Sequence, residues 1–304
     1  MAVPLKKQAY ATDKRPLVLA ILDGVGLAPP GDKNAVHLAN TPTLDRLFKG
    51  PLFRHLKAHG TAVGMPTDDD MGNSEVGHNA LGAGRVFAQG ASLVQQAIQS
   101  KAVFATDLWR QLVGRVITHQ STFHLIGLLS DGNVHAHMDH LKAMLDELSK
   151  DHVQTVRVHI LLDGRDVPAR SALTYVAQLE EWLSAINQSS QRDYQIASGG
   201  GRMLITMDRY GAEWGMVERG WNTHVLGEGE RFTSAKEAIL SAYEDPDLID
   251  QYIPPFVIEQ GAAPMGSMQD GDSVVLFNFR GDRSIEISQA FDSDDFVHFD
   301  RKRR

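Results

Sequence analysis

Short apolar runs that close on a polar turn recur four times along this chain. They are residues 17–22 before Asp23-Gly24, 123–129 before Ser130-Asp131-Gly132, 156–162 before Asp163-Gly164, and 273–277 before Asn278-Phe279-Arg280-Gly281. Runs this short, bounded by Asp-Gly or Arg-Gly, predict buried strands of a parallel sheet. Between them lie helical patterns. Residues 137–150 place apolar side chains at 138, 141, 144, 145 and 148, and residues 171–186 read the same way. Strands alternating with helices predict an α/β fold. In such sheets ligands sit beyond the carboxyl ends of the strands, where all four polar turns fall.

The pattern is uneven. From about Thr118 onward it holds enough strands and helices for a self-sufficient domain. Before that, 17–22 is a convincing strand and 59–63 a weaker one, fewer than a stable sheet needs. The first 90 residues or so therefore read as part of a domain, and the whole chain as a truncation, with an interdomain linker near 86–90. The Pro/Gly-rich stretch 245–268 predicts a surface excursion.

Composition narrows the classes. Thirty Lys and Arg against 38 Asp and Glu give a net charge of −8 over 304 residues, which argues against a nucleic-acid or anionic-membrane binder. Zero cysteines exclude disulfides, thiolate zinc sites, iron–sulfur clusters and a cysteine nucleophile. Met1 to Arg15 is basic and polar, without the apolar core of a signal peptide, so a cytoplasmic protein is expected.

Candidate chemistry gathers in four places. In Asp70-Met71-Gly72-Asn73-Ser74-Glu75, Asn73 or Ser74 caps a helix whose first amides would favour an anion. A plain cap needs no flanking Gly72, Gly77, Gly82 and Gly84, and Ser74 is thereby a candidate nucleophile, needing a base or metal to activate it. Asp23, at a strand end, suits a metal ion or merely a turn. His135, His137 and His140 invite an HxH metal reading, against which stands a phosphate- or proton-handling His135 with His137 and His140 on a helix surface. Arg165, Arg202, Arg209, Arg280 and Arg283 stand at strand ends and Gly turns. Guanidinium groups so placed suit a small, highly anionic ligand.

Taken in order, these motifs resemble the cofactor-independent phosphoglycerate mutases. The resemblance rests on Ile21 to Gly26, Met71 to Arg85, Leu129 to His135, Asp163 to Asp166, Ser198 to Arg202, Met207 to Tyr210 and Asn278 to Arg283, and the Arg202–Arg209 spacing is similar to the plant and trypanosomatid branch. It implies an alkaline-phosphatase-like domain, of which residues 1–87 are the N-terminal portion, and an inserted α/β substrate-binding domain over 88–304. It also implies a monomer that interconverts 3- and 2-phosphoglycerate in glycolysis through a phosphoserine. Two Mn²⁺, or Mg²⁺ or Co²⁺, would serve it, without 2,3-bisphosphoglycerate. Carried over residue by residue, Asp23 and Ser74 ligate metal and Ser74 is the nucleophile. Asp166 moves the proton of the glycerate hydroxyl. Together with Asp166, the residues His135, Arg165, Arg202, Arg209, Arg280 and Arg283 hold the substrate. The family's further His and Asp ligands and a phosphate-contacting Lys have no counterpart here, so the chain alone is expected to be inactive. A phosphoglycerate-binding fragment without catalysis, and more remotely an HxH metallohydrolase, are the alternatives.

Overall fold

The α/β alternation of the sequence becomes one mixed sheet flanked by helices. In a computed structural model the described residues are Pro16, 18–22 and 25–303; Leu17, Asp23 and Gly24 lie outside them, and so does the metal-ligand expectation for Asp23. The chain divides into two compact units, meeting in sequence at Leu56 and Lys57.

The first unit carries two short helices, α1 (Ala35–Leu38) and α2 (Pro42–Phe48), neither with a buried residue. Residues 18–22, expected as a strand, are not one: Val18, Leu19, Ile21 and Leu22 are exposed. An extended segment becomes a strand only when a neighbouring strand takes up its backbone groups, and among the described residues no strand pairs with it; Leu22 only accepts locally, from the Val25 amide at 3.4 Å.

In the second unit, residues 60–63 form a 3₁₀ turn in place of the weak strand expected at 59–63. Three helices follow: α3 (Ser74–Ala83), α4 (Gly90–Gln99) and α5 (Asp107–His119). Then come β1 (Thr122–Leu129), α6 (Met138–Lys150), β2 (Thr155–Leu162), α7 (Ala172–Ser190) and β3 (Asp193–Gly201). The remainder is α8 (Trp214–Trp221), β4 (Glu230–Phe232), α9 (Ala235–Ala242), β5 (Phe256–Gln260), β6 (Ala263–Pro264), β7 (Ser273–Leu276) and α10 (Ile285–Asp292). No helix among the described residues is long and apolar enough to cross a membrane.

The sheet runs β4-β5-β3-β2-β1-β7, with β6 on β5. β7, β1, β2 and β3 are parallel, but β5 pairs antiparallel with β3, so the expected all-parallel sheet is corrected to a mixed one. The segment 245–268 is likewise no surface excursion. Its Phe256, Val257 and Ile258 are buried in β5, and Asp250 is buried too. Two prolines precede an apolar strand here, and the turn residues masked it.

Seven of the eight residues of β1, and seven of β2, are buried, as a strand covered on both faces requires. Helix α6 buries Leu141, Met144, Leu145 and Leu148, starts at a His137 cap and carries Asp139 in its first turn. Burying each such side chain contributes about 1.5–3 kcal/mol. The Gly199–Gly201 run has a steric reason. A Cβ on Gly201 would stand 2.3 Å from the Gln251 carbonyl oxygen, and one on Gly199 would stand 2.5 Å from the Phe256 ring. Side chains would push β5 and the 250–253 turn off β3.

Candidate active site

The four parallel strands end together, and each hands its chain to a polar turn at one edge of the sheet. From β1 comes 130–135, from β2 comes 163–166, from β3 comes Arg202, and from β7 comes 278–283. Asp163 organises this edge. Its Oδ1 accepts from Arg202 Nη1 at 2.6 Å and from the amides of Arg165 and Asp166, while Oδ2 accepts from Ser130 Oγ at 2.6 Å. Arg202 Nη1 also donates to Asp166 Oδ2 at 2.5 Å. The turn needs Gly164, whose φ of 61° lies in the left-handed region.

Four of the five candidate arginines bear on one imidazole, that of His135. His135 is buried, and its imidazole is pushed down to about 2, first by burial and then by Arg202, Arg280, Arg283 and Arg209. It is neutral at physiological pH and stands in a cationic field. Burial, then Arg209 and Arg202, and more weakly Arg165, also lower the Arg283 guanidinium. Arg283 donates from Nη1 to the Met207 carbonyl at 2.6 Å; among the described residues no carboxylate comes within 4.0 Å of it. Arg209 is half-exposed, lies over the Tyr210 ring, and reaches Asp282 at 3.3 Å. Arg280 Nε stands 2.9 Å from Glu75 and 3.0 Å from Asp282, charge contacts without hydrogen-bond alignment. Buried polar atoms without partners collect here: His135 Nδ1, Arg202 Nε, Arg280 Nε and Asp282 Oδ1. Such groups mark a site arranged for something other than stability.

Helix α3 is tied to the same edge through Glu75 and Arg280, and Asn133 Nδ2 donates to Asp70 at 2.5 Å. Of the two possible caps, Asn73 is the one used. Its Oδ1 accepts from the amides of Glu75 and Val76, so two of the amides available to an anion are taken. Ser74 is the first helical residue and is exposed.

The HxH metal reading does not survive. His137 caps α6, with Nδ1 accepting from the Asp139 amide at 3.1 Å, and His140 Nε2 pairs with Gln95 at 2.6 Å. His135 faces arginines that repel a cation. Among the described residues no group of three or more His, Asp or Glu could hold a metal, and Ser74 alone does not fit two divalent ions.

Sequence reasoning missed the keystone role of Asp163, Ser130 behind it, and Tyr175, which donates to Asp131 at 2.6 Å and braces the β1 turn. The first two lie inside motifs already singled out; for Tyr175, on α7, no local signal exists.

Residues 94–304 match the family model described as "BPG-independent PGAM N-terminus". A probable 2,3-bisphosphoglycerate-independent phosphoglycerate mutase of Leptospira interrogans is 54% identical over 295 residues, 96% of this chain and 54% of that protein. The Trypanosoma brucei enzyme is 52% identical over 95% of this chain and 53% of its own length, and that of Zea mays 48% over 94% and 52%. A crystal structure of Leishmania mexicana phosphoglycerate mutase at low cobalt concentration superposes with a TM-score of 0.90 at 51% identity, covering 93% of this chain and 52% of that one. The chain thus spans about half the length of the curated relatives it matches.

Proposed function

Because this chain belongs to the 2,3-bisphosphoglycerate-independent phosphoglycerate mutase family, we propose that its arginine-lined sheet edge binds phosphoglycerate. In a protein of the relatives' full length, that edge would position the substrate for transfer of phosphate between the 3- and 2-oxygens. The observation that carries this reading is the convergence of Arg202, Arg209, Arg280 and Arg283 on the buried, neutral His135.

The substrate carries a carboxylate and a phosphate, and paired guanidinium groups grip both bidentately. With four arginines around one imidazole, both groups are held at once, which fixes the orientation of the glycerate hydroxyls. Arg165, exposed at the rim, closes over the ligand. His135, being neutral, donates or accepts one hydrogen bond without adding charge. Ser74 Oγ would take the phosphoryl group as the bond from phosphorus to the glycerate oxygen breaks. The proton Ser74 loses would pass by way of the Asp166 carboxylate to that oxygen; on the return the other glycerate hydroxyl would give its proton to Asp166 as it takes the phosphoryl group, and the departing Ser74 Oγ would recover that proton. The Arg202 contact holds the Asp166 carboxylate in place for this. The metals expected from the family do not fit the described residues, and no step here runs through them.

We place residues 1–87 with a phosphatase-like catalytic domain and 88–304 with the substrate domain; the span of the matching family model, 94–304, supports the second. A second reading, binding without turnover by this chain alone, is favoured by the lack of a three-donor metal group among the described residues.

Isothermal titration calorimetry of residues 1–304 with 3-phosphoglycerate, glycerate and inorganic phosphate tests the proposal. Both half-ligands should bind at least tenfold more weakly than 3-phosphoglycerate; equal affinity for all three would overturn it.

A further inference from the structure

Behind the arginine edge a chain of polar side chains crosses β1, β2 and β3. Asp272 stands before β7, His124 on β1, His159 on β2 and Ser198 on β3, with His224 in a π-helical turn (Asn222–Leu226) and Thr206 in the loop after β3. Five contacts join them: His124 Nε2 to Asp272 Oδ2 at 3.1 Å, His124 Nδ1 to His159 Nε2 at 2.9 Å, His159 Nδ1 to Ser198 Oγ at 2.7 Å, Ser198 Oγ to His224 Nδ1 at 2.8 Å, and His224 Nε2 to Thr206 Oγ1 at 3.1 Å. Every member is buried except Asp272, which is half-buried. Parallel pairing alone would set Ala197 beside His159. A β-bulge there skips one residue and brings Ser198 into register instead.

Proton bookkeeping gives this chain one direction. A carboxylate only accepts, so His124 Nε2 carries the proton and His124 Nδ1 accepts. His159 Nε2 must then donate and His159 Nδ1 accept, which it does from the Ser198 hydroxyl. The Ser198 oxygen accepts from His224 Nδ1–H, and His224 Nε2 accepts from the Thr206 hydroxyl. Each imidazole thus holds one proton, and each hydroxyl is committed.

Thr206 is the end that matters. It is a β-branched residue at φ 67°, a conformation such residues rarely adopt. A Cβ on Gly220 of α8 would come within 2.2 Å of its Oγ1, so the hydroxyl fits only because that position is glycine. Immediately after it the chain runs through Met207, whose carbonyl accepts from Arg283, to Arg209, and on to Gly211, whose amide donates to Glu286 at 2.8 Å.

We propose that the chain from Asp272 to Thr206 is a positioning relay. Its single proton direction holds the left-handed turn at Thr206 and so sets Arg209 at the substrate edge. Burial lowers all three imidazoles, His224 to about 3, and the Arg157 charge further opposes protonation of His124 and His159; no excess proton disturbs the relay near neutrality. The proposal rests on Arg209 being a substrate anchor.

Long-range ¹⁵N–¹H NMR of the 1–304 chain at pH 7 reads the tautomers directly. The relay requires Nε2–H at His124 and His159, Nδ1–H at His224, and no imidazolium; any other assignment overturns it. Thr206→Val removes the hydroxyl at constant shape, and Thr206→Ser restores it. Thr206→Val should weaken 3-phosphoglycerate binding about tenfold, Thr206→Ser should regain most of that loss, and Thr206→Val with Arg209→Ala should bind no worse than Arg209→Ala alone. Additive losses, or wild-type affinity in Thr206→Val, contradict the proposal. Amide exchange at Gly211 should quicken in Thr206→Val and slow again in Thr206→Ser; equal exchange in both also contradicts it. If the wild-type chain bound no 3-phosphoglycerate, the substrate reading would fall, and the tautomers and exchange would still decide the relay.

Discussion

Arg202→Met removes the cation from a buried ionic cluster while keeping most of the side chain's volume. Arg202 and Asp163 are almost wholly enclosed, at 2% and 1% side-chain exposure, and Asp166 is 12% exposed. Breaking such a cluster from one side leaves carboxylates without their cation, which costs about 3–5 kcal/mol. Here Asp163 keeps three donors, from Ser130 Oγ and the amides of Arg165 and Asp166, so the loss should fall near the lower figure, about 3 kcal/mol. Asp166 loses its close cation outright, and part of the loss should therefore return in Arg202→Met with Asp166→Asn. Urea unfolding followed by far-ultraviolet circular dichroism measures both variants. A loss below about 1 kcal/mol for Arg202→Met, in the range of an exposed ion pair, would refute the picture of a desolvated cluster.

Acid stability carries a definite sign. His224 has a folded value near 3 against about 6.5 unfolded, so the unfolded state binds more protons in between. Stability is complete above about pH 6.5 and falls as pH drops, by about 2 kcal/mol from pH 6 to 4.5 for this residue alone; His224→Asn should flatten that slope in thermal unfolding against pH. Gly201→Ala forces a methyl to within 2.3 Å of the Gln251 carbonyl and should cost about 1–3 kcal/mol in the same urea assay. In a protein of the relatives' full length, Ser74→Ala should leave 3-phosphoglycerate affinity nearly unchanged and abolish phosphoserine by mass spectrometry; surviving turnover would show that Ser74 is not the phosphoryl acceptor.

Strands β1, β2 and β7, helices α6 and α7, and the arginine turns were legible because each is encoded locally: an apolar run, a 3.6-residue stripe, an Asp-Gly or Arg-Gly stop. β5 was not, since Pro254 and Pro255 in front of it read as loop, and its direction depends on how the chain returns across the sheet. Residues 18–22 looked like a strand because composition reports burial potential, while a strand exists only against a neighbour. His137 and His140 misled for a similar reason: a motif spacing states what could converge, whereas the helix register sends one to cap α6 and the other to Gln95. The histidine relay was invisible altogether. Its members are 124, 159, 198, 206, 224 and 272, brought together by strand pairing and one bulge.

The central claim is that one sheet edge holds phosphoglycerate through several arginines at once. Titration of the ¹⁵N-labelled chain with 3-phosphoglycerate, followed at the arginine Nε–H resonances, tests it most directly. Arg202, Arg209, Arg280 and Arg283 should shift together along one saturating curve. Silent resonances at these four positions, or separate curves for each, would contradict the account.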